Sequence, residues 1–156
     1  MKEDDEIYNS YEHEKILEKW DKNKLREIVK KGPKRTKTKL KDFIIYLRKS
    51  TDEMNEFEKA YIIFYWLHEN IEYDIAQKGT GNAAKMPDVI YNSGKCVCEG
   101  YSNLYHYIGQ QIGLKIDNIP GYSPNNEYKD AYTGHAWNSL EVNQKNYLID
   151  STWGSG

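Results

Sequence analysis

Three side chains of the sequence have the chemistry to transfer an acyl group: Cys98, His135 and Asp150. Cys98 stands in segment 94–102, which combines a glycine-bounded turn with the predicted start of a helix. The positive end of a helix macrodipole favours the thiolate. A histidine can take the proton of a thiol and return it to a leaving amine. A carboxylate behind the histidine fixes its tautomer. The three residues are therefore a candidate catalytic triad.

The spacing of the last two predicted strands brings two of these residues together. After Gly113 the apolar period becomes that of a strand, and segments 135–142 and 145–152 are predicted to be two strands joined by the two residues between them. With such a loop, Trp137 lies opposite Asp150, and His135 lies one diagonal step away on the same sheet face, at about 7–8 Å. A loop one residue longer would put them on opposite faces, because the side-chain period of a strand is two.

The other cysteine, Cys96, is predicted to be a small packing residue of the turn before the helix. Two cysteines separated by one residue are poorly placed to bridge each other. A zinc site formed by Cys96, Cys98, His106 and His135 is a second interpretation, but this spacing matches no compact zinc pattern. We therefore expect no metal and no disulfide framework.

The elements that position these residues follow from the apolar periodicity, which changes from helical to strand-like after Gly113. Helices are predicted over residues 10–31, 38–49, 54–71, 87–91 and 98–113, and strands over 116–122, 135–142 and 145–152. Helices followed by strands predict an α+β fold in which the last helix, with Cys98 at its start, packs on an antiparallel sheet.

The helix predicted over 54–71 contains the continuous apolar run 61–67, which predicts burial on more than one side. The segment 50–53 has capping-box spacing and is expected to open this helix. His68 is interpreted as a core histidine. Trp66 has two interpretations: its indole N–H could donate to a reacting oxygen, or its ring packs in the core, which we favour.

The charge of the chain is unevenly distributed. Residues 1–50 carry 15 of the 22 Lys and Arg, and the basic excess lies in the run 30–41. That run has no interleaved aromatic residues and the net charge is −2, so we expect a solvated linker and no nucleic-acid partner. Residues 1–9 are acidic and expected to fray.

No apolar run approaches the roughly 20 residues of a membrane span, and the chain does not begin with the apolar segment of a signal peptide. Together with the expected lack of disulfides, this favours a cytoplasmic protein. A mature secreted form would have the same sequence features.

From about Lys59 onward, the sequence resembles the transglutaminase-like superfamily, and within it the kyphoscoliosis-peptidase-like branch. Three blocks carry the resemblance. The first spans 59–74 and ends in Asn-Ile-Glu-Tyr-Asp, and the second is Cys-Glu-Gly-Tyr-Ser-Asn-Leu at 98–104. The third is His-Ala-Trp-Asn at 135–138, followed by Leu-Ile-Asp-Ser-Thr-Trp-Gly at 148–154.

The resemblance implies a papain-like core with Cys98 as nucleophile, His135 as base and Asp150 as the orienting residue. It places no catalytic function on Cys96. Residues expected to bind substrate or support the site are Trp66, Gly100, Tyr101 and Trp137.

The expected function is cysteine-dependent acyl transfer on protein or peptide amide bonds, with hydrolysis by a peptidase or isopeptidase through a thioacyl-enzyme. Transglutaminase-type crosslinking or deamidation is one alternative, and a non-catalytic protein-interaction module is another. The expected partner is a protein or peptide substrate, and no cofactor is implied.

The predicted domain organisation is a helical N-terminal extension or cap over 1–50 and a transglutaminase-like core over 51–156. Members of this superfamily usually continue with further strands, so a C-terminally truncated or minimal core is expected.

Overall fold

The computed structural model describes residues 5–8, 21–122 and 134–152, with side chains over 21–119 and 136–152. Its helices are α1 (Lys22–Lys31), α2 (Leu40–Ser50), α3 (Glu56–Asn70), α4 (Pro87–Ser93) and α5 (Cys98–Gln111). Its strands are β1 (Asp5–Tyr8), β2 (Glu72–Tyr73), β3 (Lys95–Cys96), β4 (Lys115–Tyr122), β5 (Gly134–Val142) and β6 (Lys145–Ile149). The predicted α+β class is confirmed.

The larger sheet has the strand order β1-β6-β5-β4. Strands β4, β5 and β6 pair antiparallel in sequence order, as predicted. Strand β1 pairs parallel with β6, from Asp5↔Asn146 to Tyr8↔Ile149. The expectation that residues 1–9 fray was therefore wrong for residues 5–8, which form an edge strand; residues 1–4 and 9 lie outside the described part.

A second, two-stranded sheet lies directly before α5. Strands β2 and β3 pair parallel through Glu72↔Lys95 and Tyr73↔Cys96. The pairing is extended by the amide of Asp74, which donates to the carbonyl oxygen of Cys96 at 2.9 Å. The end of the first resemblance block is thereby fixed beside the start of the second.

Helix α3 begins later than predicted. Its capping box is formed by Asn55 and Glu58, whose side chains accept from each other's backbone amides at 2.9 and 3.1 Å. The box predicted over 50–53 was wrong, because Thr51 belongs to the end of α2 and donates its hydroxyl to the carbonyl oxygen of Leu47 at 2.7 Å. Helix α5 ends before Gly113, whose φ of 93° is the left-handed conformation that glycine tolerates.

The helices and the sheet share one hydrophobic core, to which α1–α5 and β4–β6 all contribute. Helix α3 supplies its centre, with a buried run from Ala60 to Phe64. The hydroxyl of Tyr105 on α5 donates to the carbonyl oxygen of Ala60 at 2.6 Å and joins the two helices. His68, interpreted above as a core residue, is exposed near the end of α3.

Of the predicted helix over 10–31, the described part contains α1, which begins after the N-cap Asp21. Residues 10–20 lie outside the described part. No helix in the described part is long and apolar enough to cross a membrane.

Candidate active site

The two cysteines occupy different environments. Cys96 is fully buried at the end of β3, whereas Cys98 is partly exposed and is the first residue of α5. Neither forms a disulfide bond. Burial raises the pKa of Cys96 to about 12, and the nearby Cys98 and Asp74 add to the rise. Because a thiol needs to ionise to be a nucleophile, Cys96 is chemically inert at neutral pH.

The start of α5 is held close to the turn before it through Gly100. A Cβ atom at this position would lie 2.4 Å from the Cβ of Cys96 and 2.9 Å from the carbonyl oxygen of Ala84. The sequence predicts Gly100 to be one of the residues that bind substrate or support the site. The contact that requires glycine in the structure is the one with Cys96, which fixes the distance between the buried thiol and the helix that begins at Cys98.

Tyr101 anchors the same helical turn. Its side chain is fully buried, and its hydroxyl donates to the carbonyl oxygen of Ile71 at 3.0 Å. The ring of Tyr73 lies nearly parallel to that of Tyr101, with centroids 6.5 Å apart. Burial raises the pKa of Tyr73, and the thiols of Cys98 and Cys96 contribute to the rise.

A polar network joins the second turn of α5 to the sheet. The hydroxyl of Ser102 lies 2.9 Å from Oδ1 of Asn118 on β4 and 3.1 Å from the carbonyl oxygen of Trp137 on β5. Nδ2 of the buried Asn138 donates to Oδ1 of Asn118 at 2.8 Å and to the carbonyl oxygen of Ser102 at 3.1 Å. The network fixes α5 against the strand that contains His135.

The β5–β6 hairpin has the predicted register. Its ladder runs from Val142↔Lys145 to Asn138↔Ile149, so the two-residue loop is confirmed. The next residues after the last pair are Trp137 and Asp150. The side chain of His135 lies outside the described part, and with it the predicted contact with Asp150.

Asp150 directly follows β6 and is 2% exposed. Its Oδ1 accepts from the amide of Thr152 at 3.1 Å, which forms a local turn that holds the carboxylate. Trp137 is partly exposed on β5. Asp150 and Trp137 thus lie at the same end of the β5–β6 hairpin.

Trp66 lies in the core. It is 2% exposed and packs against Phe43, at 4.6 Å between ring centroids, and Tyr91, at 5.6 Å, and these two rings also contact each other at 6.0 Å. This is the packing interpretation of the two that the sequence allows.

Several residues of the site were not predicted from the sequence: Tyr73, Ser102, Asn118 and Asn138. Tyr73, Ser102 and Asn138 each lie inside one of the three motif blocks, which was the available signal, whereas Asn118 lies in none of them. Within the described residues, no group of three or more His, Cys, Asp or Glu side chains is arranged to hold a metal ion.

Comparison with known proteins identifies the family of the chain. A family model described as the transglutaminase-like superfamily matches residues 41–150. Kyphoscoliosis peptidase of Mus musculus is 33% identical over 109 residues, covering 65% of this chain and 16% of the relative. Kyphoscoliosis peptidase of Homo sapiens is 34% identical over 108 residues, with the same coverage of 65% and 16%. The chain thus spans about one sixth of the length of these relatives.

A solved structure described as the crystal structure of a TGase superposes with a TM-score of 0.55 at 18% sequence identity. The superposition covers 90% of this chain and 38% of the other. At this level of identity, the likeness concerns the fold.

Proposed function

Since the chain belongs to the transglutaminase-like superfamily, we propose that it transfers the acyl group of a protein or peptide amide through Cys98, with hydrolysis as the outcome. The superfamily includes cysteine-dependent acyltransferases and peptidases. The observation that carries the proposal is the contrast between the cysteines: a partly exposed Cys98 at the first position of a 14-residue helix, and a fully buried Cys96.

The helix start supports Cys98 as the nucleophile in two ways. The partial positive charge of the N-terminus stabilises a thiolate. The N-cap residue Val97 provides no side-chain cap, so substrate oxygen atoms do not compete with a capping side chain for the first N–H groups.

The proposed reaction proceeds through a thioester. His135 takes the proton of Cys98, and Sγ attacks the amide carbonyl carbon to give a tetrahedral intermediate with a negative oxygen. The C–N bond breaks, and His135 returns the proton to the leaving amine. A water molecule, deprotonated by His135, then attacks the thioester, the C–S bond breaks, and the carboxylic acid and the thiol are released.

The hairpin register supports the assignment of Asp150 as the residue that orients His135. The buried carboxylate lies beyond the last β5–β6 pair, beside the part of β5 that contains His135. A buried carboxylate in this position would hold the imidazole tautomer and stabilise the imidazolium.

Hydrolysis is preferred over crosslinking because the relatives that the chain matches at 33–34% identity are named peptidases. A protein or peptide substrate follows from the same likeness.

The proposal is tested by the alkylation of the two cysteines. With iodoacetamide at pH 7.5, mass spectrometry of the digested protein should find Cys98 alkylated and Cys96 protected. We expect His135→Ala to slow the alkylation of Cys98 at least roughly 10-fold, because the thiol loses its base. His106→Ala, a substitution in the middle of α5, is the matched control and should leave the rate unchanged. Equally slow labelling of both cysteines in all three proteins would contradict the proposal.

The outcome of the transfer is tested separately. Candidate proteins are incubated with the wild type and with Cys98→Ala, with and without a primary amine, and their masses are measured. Hydrolysis predicts fragments in both conditions. Mass increases equal to the amine would identify transamidation instead.

A further inference from the structure

The basic run 30–41 has no part in the proposed reaction. It contains six Lys, one Arg and no acidic residue, in a chain whose net charge is −2. It was expected to be a solvated linker, and in the structure it is a folded corner between α1 and α2. Its middle is a single 3₁₀ turn, Arg35–Lys37, where the amide of Lys37 donates to the carbonyl oxygen of Lys34 at 3.0 Å. Residues 30–41 are called the basic corner below.

The basic corner is fixed to the rest of the fold by its one arginine. Nη1 of Arg35 donates to the carbonyl oxygens of Tyr91 and Asn92, at 3.1 and 3.2 Å, near the end of α4. Arg26 on α1 and Arg48 on α2 also donate to protein acceptors, at 2.8 and 2.9 Å. All three arginines of residues 21–50 are therefore used within the fold.

The lysines of the basic corner are available to a partner. All six are exposed, and none of them forms an ion pair with another residue of the described part of the chain. They are Lys30, Lys31, Lys34, Lys37, Lys39 and Lys41. Six positive charges within 12 consecutive residues create a positive potential that attracts a partner with many negative charges.

The composition of this surface distinguishes between classes of polyanion. Nucleic-acid sites add arginine forks and aromatic side chains to their cations, and protein–protein interfaces are depleted in lysine. The basic corner contains no aromatic residue, and its arginine is bound to α4. Clusters of about four to eight basic residues are typical of surfaces that bind anionic lipid head groups, which require charge but no matched geometry.

An exposed apolar side chain adjoins these lysines. Ile45 is 51% exposed and lies one helical turn after Lys41 and one turn before Lys49, on the same face of α2. Both lysines are exposed. An apolar residue between lysines can enter the boundary between head groups and acyl chains while the lysines contact the head groups. Charge and apolar insertion together are the two signals that membrane attachment needs.

We propose that the basic corner and Ile45 bind the surface of a membrane that contains anionic lipids. The lysines contact the head groups, and Ile45 inserts at their boundary with the acyl chains. Arg35 joins the corner to the end of α4, which leads through β3 to Cys98, so the candidate active site has a fixed position relative to that surface. This inference does not depend on the proposed acyl transfer.

The test measures co-sedimentation of the full chain with vesicles. One set of vesicles contains phosphatidylcholine alone, and the other contains phosphatidylcholine with about 30% phosphatidylserine. We expect the wild type to bind only the second set in about 0.1 M NaCl and to be released in about 0.5 M NaCl, because salt screens the attraction.

Two variants test the two parts of the surface. Lys34→Gln/Lys37→Gln/Lys41→Gln removes half of the lysines of the corner, and its partition coefficient on the anionic vesicles should fall roughly 100-fold, at roughly 5-fold per lysine. Ile45→Ala keeps every charge and should weaken the same binding roughly 10-fold, because less apolar surface enters the boundary.

The matched control is Lys78→Gln/Lys95→Gln/Lys115→Gln. It removes three exposed lysines outside the corner and therefore the same net charge. This control should bind the anionic vesicles as well as the wild type does. Circular dichroism should show the wild-type fold for all the variants.

Each other outcome overturns the proposal or a defined part of it. A wild type that binds neither set of vesicles, or both sets equally, would overturn it. Equal losses in the two triple variants would overturn the basic corner as the site, and unchanged binding of Ile45→Ala would overturn the insertion. Tighter binding to a DNA duplex or to polyglutamate, at the same concentration of negative charge, would overturn the membrane and identify nucleic acid or an acidic protein segment as the partner.

Discussion

Cys96 and Cys98 are two residues apart, and burial gives them different tasks. Cys96 supplies its small side chain to the close contact with Gly100, where a single added carbon would lie 2.4 Å from its Cβ. Cys98 is partly exposed at the start of α5, where the positive end of the helix dipole favours ionisation of its thiol. The sequence alone separated the two through the turn and helix pattern, but the reason for glycine at position 100 required the contact across the turn.

The buried thiol predicts a pH dependence of stability. In the unfolded chain, Cys96 ionises around its ordinary pKa of 9.0, whereas in the folded protein it keeps its proton up to about pH 12. Above pH 9 the unfolded state therefore binds fewer protons than the folded state. The contribution of Cys96 to the free energy of unfolding consequently falls by about 1.4 kcal/mol per pH unit.

The measurement is a comparison with Cys96→Ala, which keeps the Cβ but cannot ionise. Both proteins are unfolded with urea at pH 8, 9 and 10. Between pH 8 and pH 10, the free energy of unfolding of the wild type should fall by about 1.4 kcal/mol more than that of Cys96→Ala. The ionisation of tyrosines and lysines is common to both proteins and cancels. A gap that is constant with pH would contradict the burial of this thiol as the cause.

The β5–β6 hairpin was predictable because two short-range signals agree. The strand-like period after Gly113 predicted both strands, and a two-residue loop was the length that kept Asp150 on the face of His135. In the structure, Asn143 and Gln144 have φ of 53° and 68°. This is the type I′ conformation that matches the twist of two antiparallel strands.

The loop gives a prediction about stability. A non-glycine residue in the left-handed region costs roughly 1–2 kcal/mol, and Gln144 is such a residue. Gln144→Gly removes this cost, and we expect the free energy of unfolding to rise by about 1 kcal/mol in urea denaturation.

Gln144→Ala is the control, since it shortens the side chain but keeps the Cβ that causes the cost. It should be no more stable than the wild type. If the alanine and glycine variants were equally stable, the conformation of the turn would not be the reason for the gain.

The pairing of strand β1 was not predictable from the sequence. It pairs with β6 from Asp5↔Asn146 onward, and such a parallel pair between the two ends of the chain leaves no local pattern in an acidic segment of four residues. The prediction that His68 lies in the core was wrong for another reason. The apolar run before it predicts burial, but His68 lies with Glu69 on an exposed side of α3, whereas Leu67 and Ile71 are buried. The contacts of Tyr73 with Cys96 and Tyr101 were not predictable either, because these residues are distant from it in sequence.

The molecule as a whole has one core that extends from α1 to β6, and an aromatic stack holds its helical half together. Phe43 on α2 stacks on Trp66 of α3, and Trp66 stacks on Tyr91 of α4, with interplanar angles of 26° and 7°. Helix α2 falls within the segment assigned from the sequence to an N-terminal extension over 1–50, while the family match begins at residue 41. The division at residue 50 stays a prediction, and the stack provides a test of it.

We expect Phe43→Ala to lower the free energy of unfolding by about 3–5 kcal/mol, because it opens a cavity against Trp66 and Tyr91 in a fully buried site. If α2 is integral to the core, the loss of far-UV and near-UV circular dichroism in urea should remain coincident, since helix content and aromatic packing then disappear together.

Ile45→Ala on the same helix is the matched control: Ile45 is 51% exposed, and its truncation should change stability by no more than about 0.5 kcal/mol. Two separate transitions, or a Phe43→Ala midpoint equal to that of Ile45→Ala, would instead support an extension that folds apart from the core. Coincident transitions with the large shift would mean that the core that holds α5 in place begins well before residue 51. Helix α2 packs on Trp66 of α3, and α3 is joined to α5 by the Tyr105–Ala60 hydrogen bond.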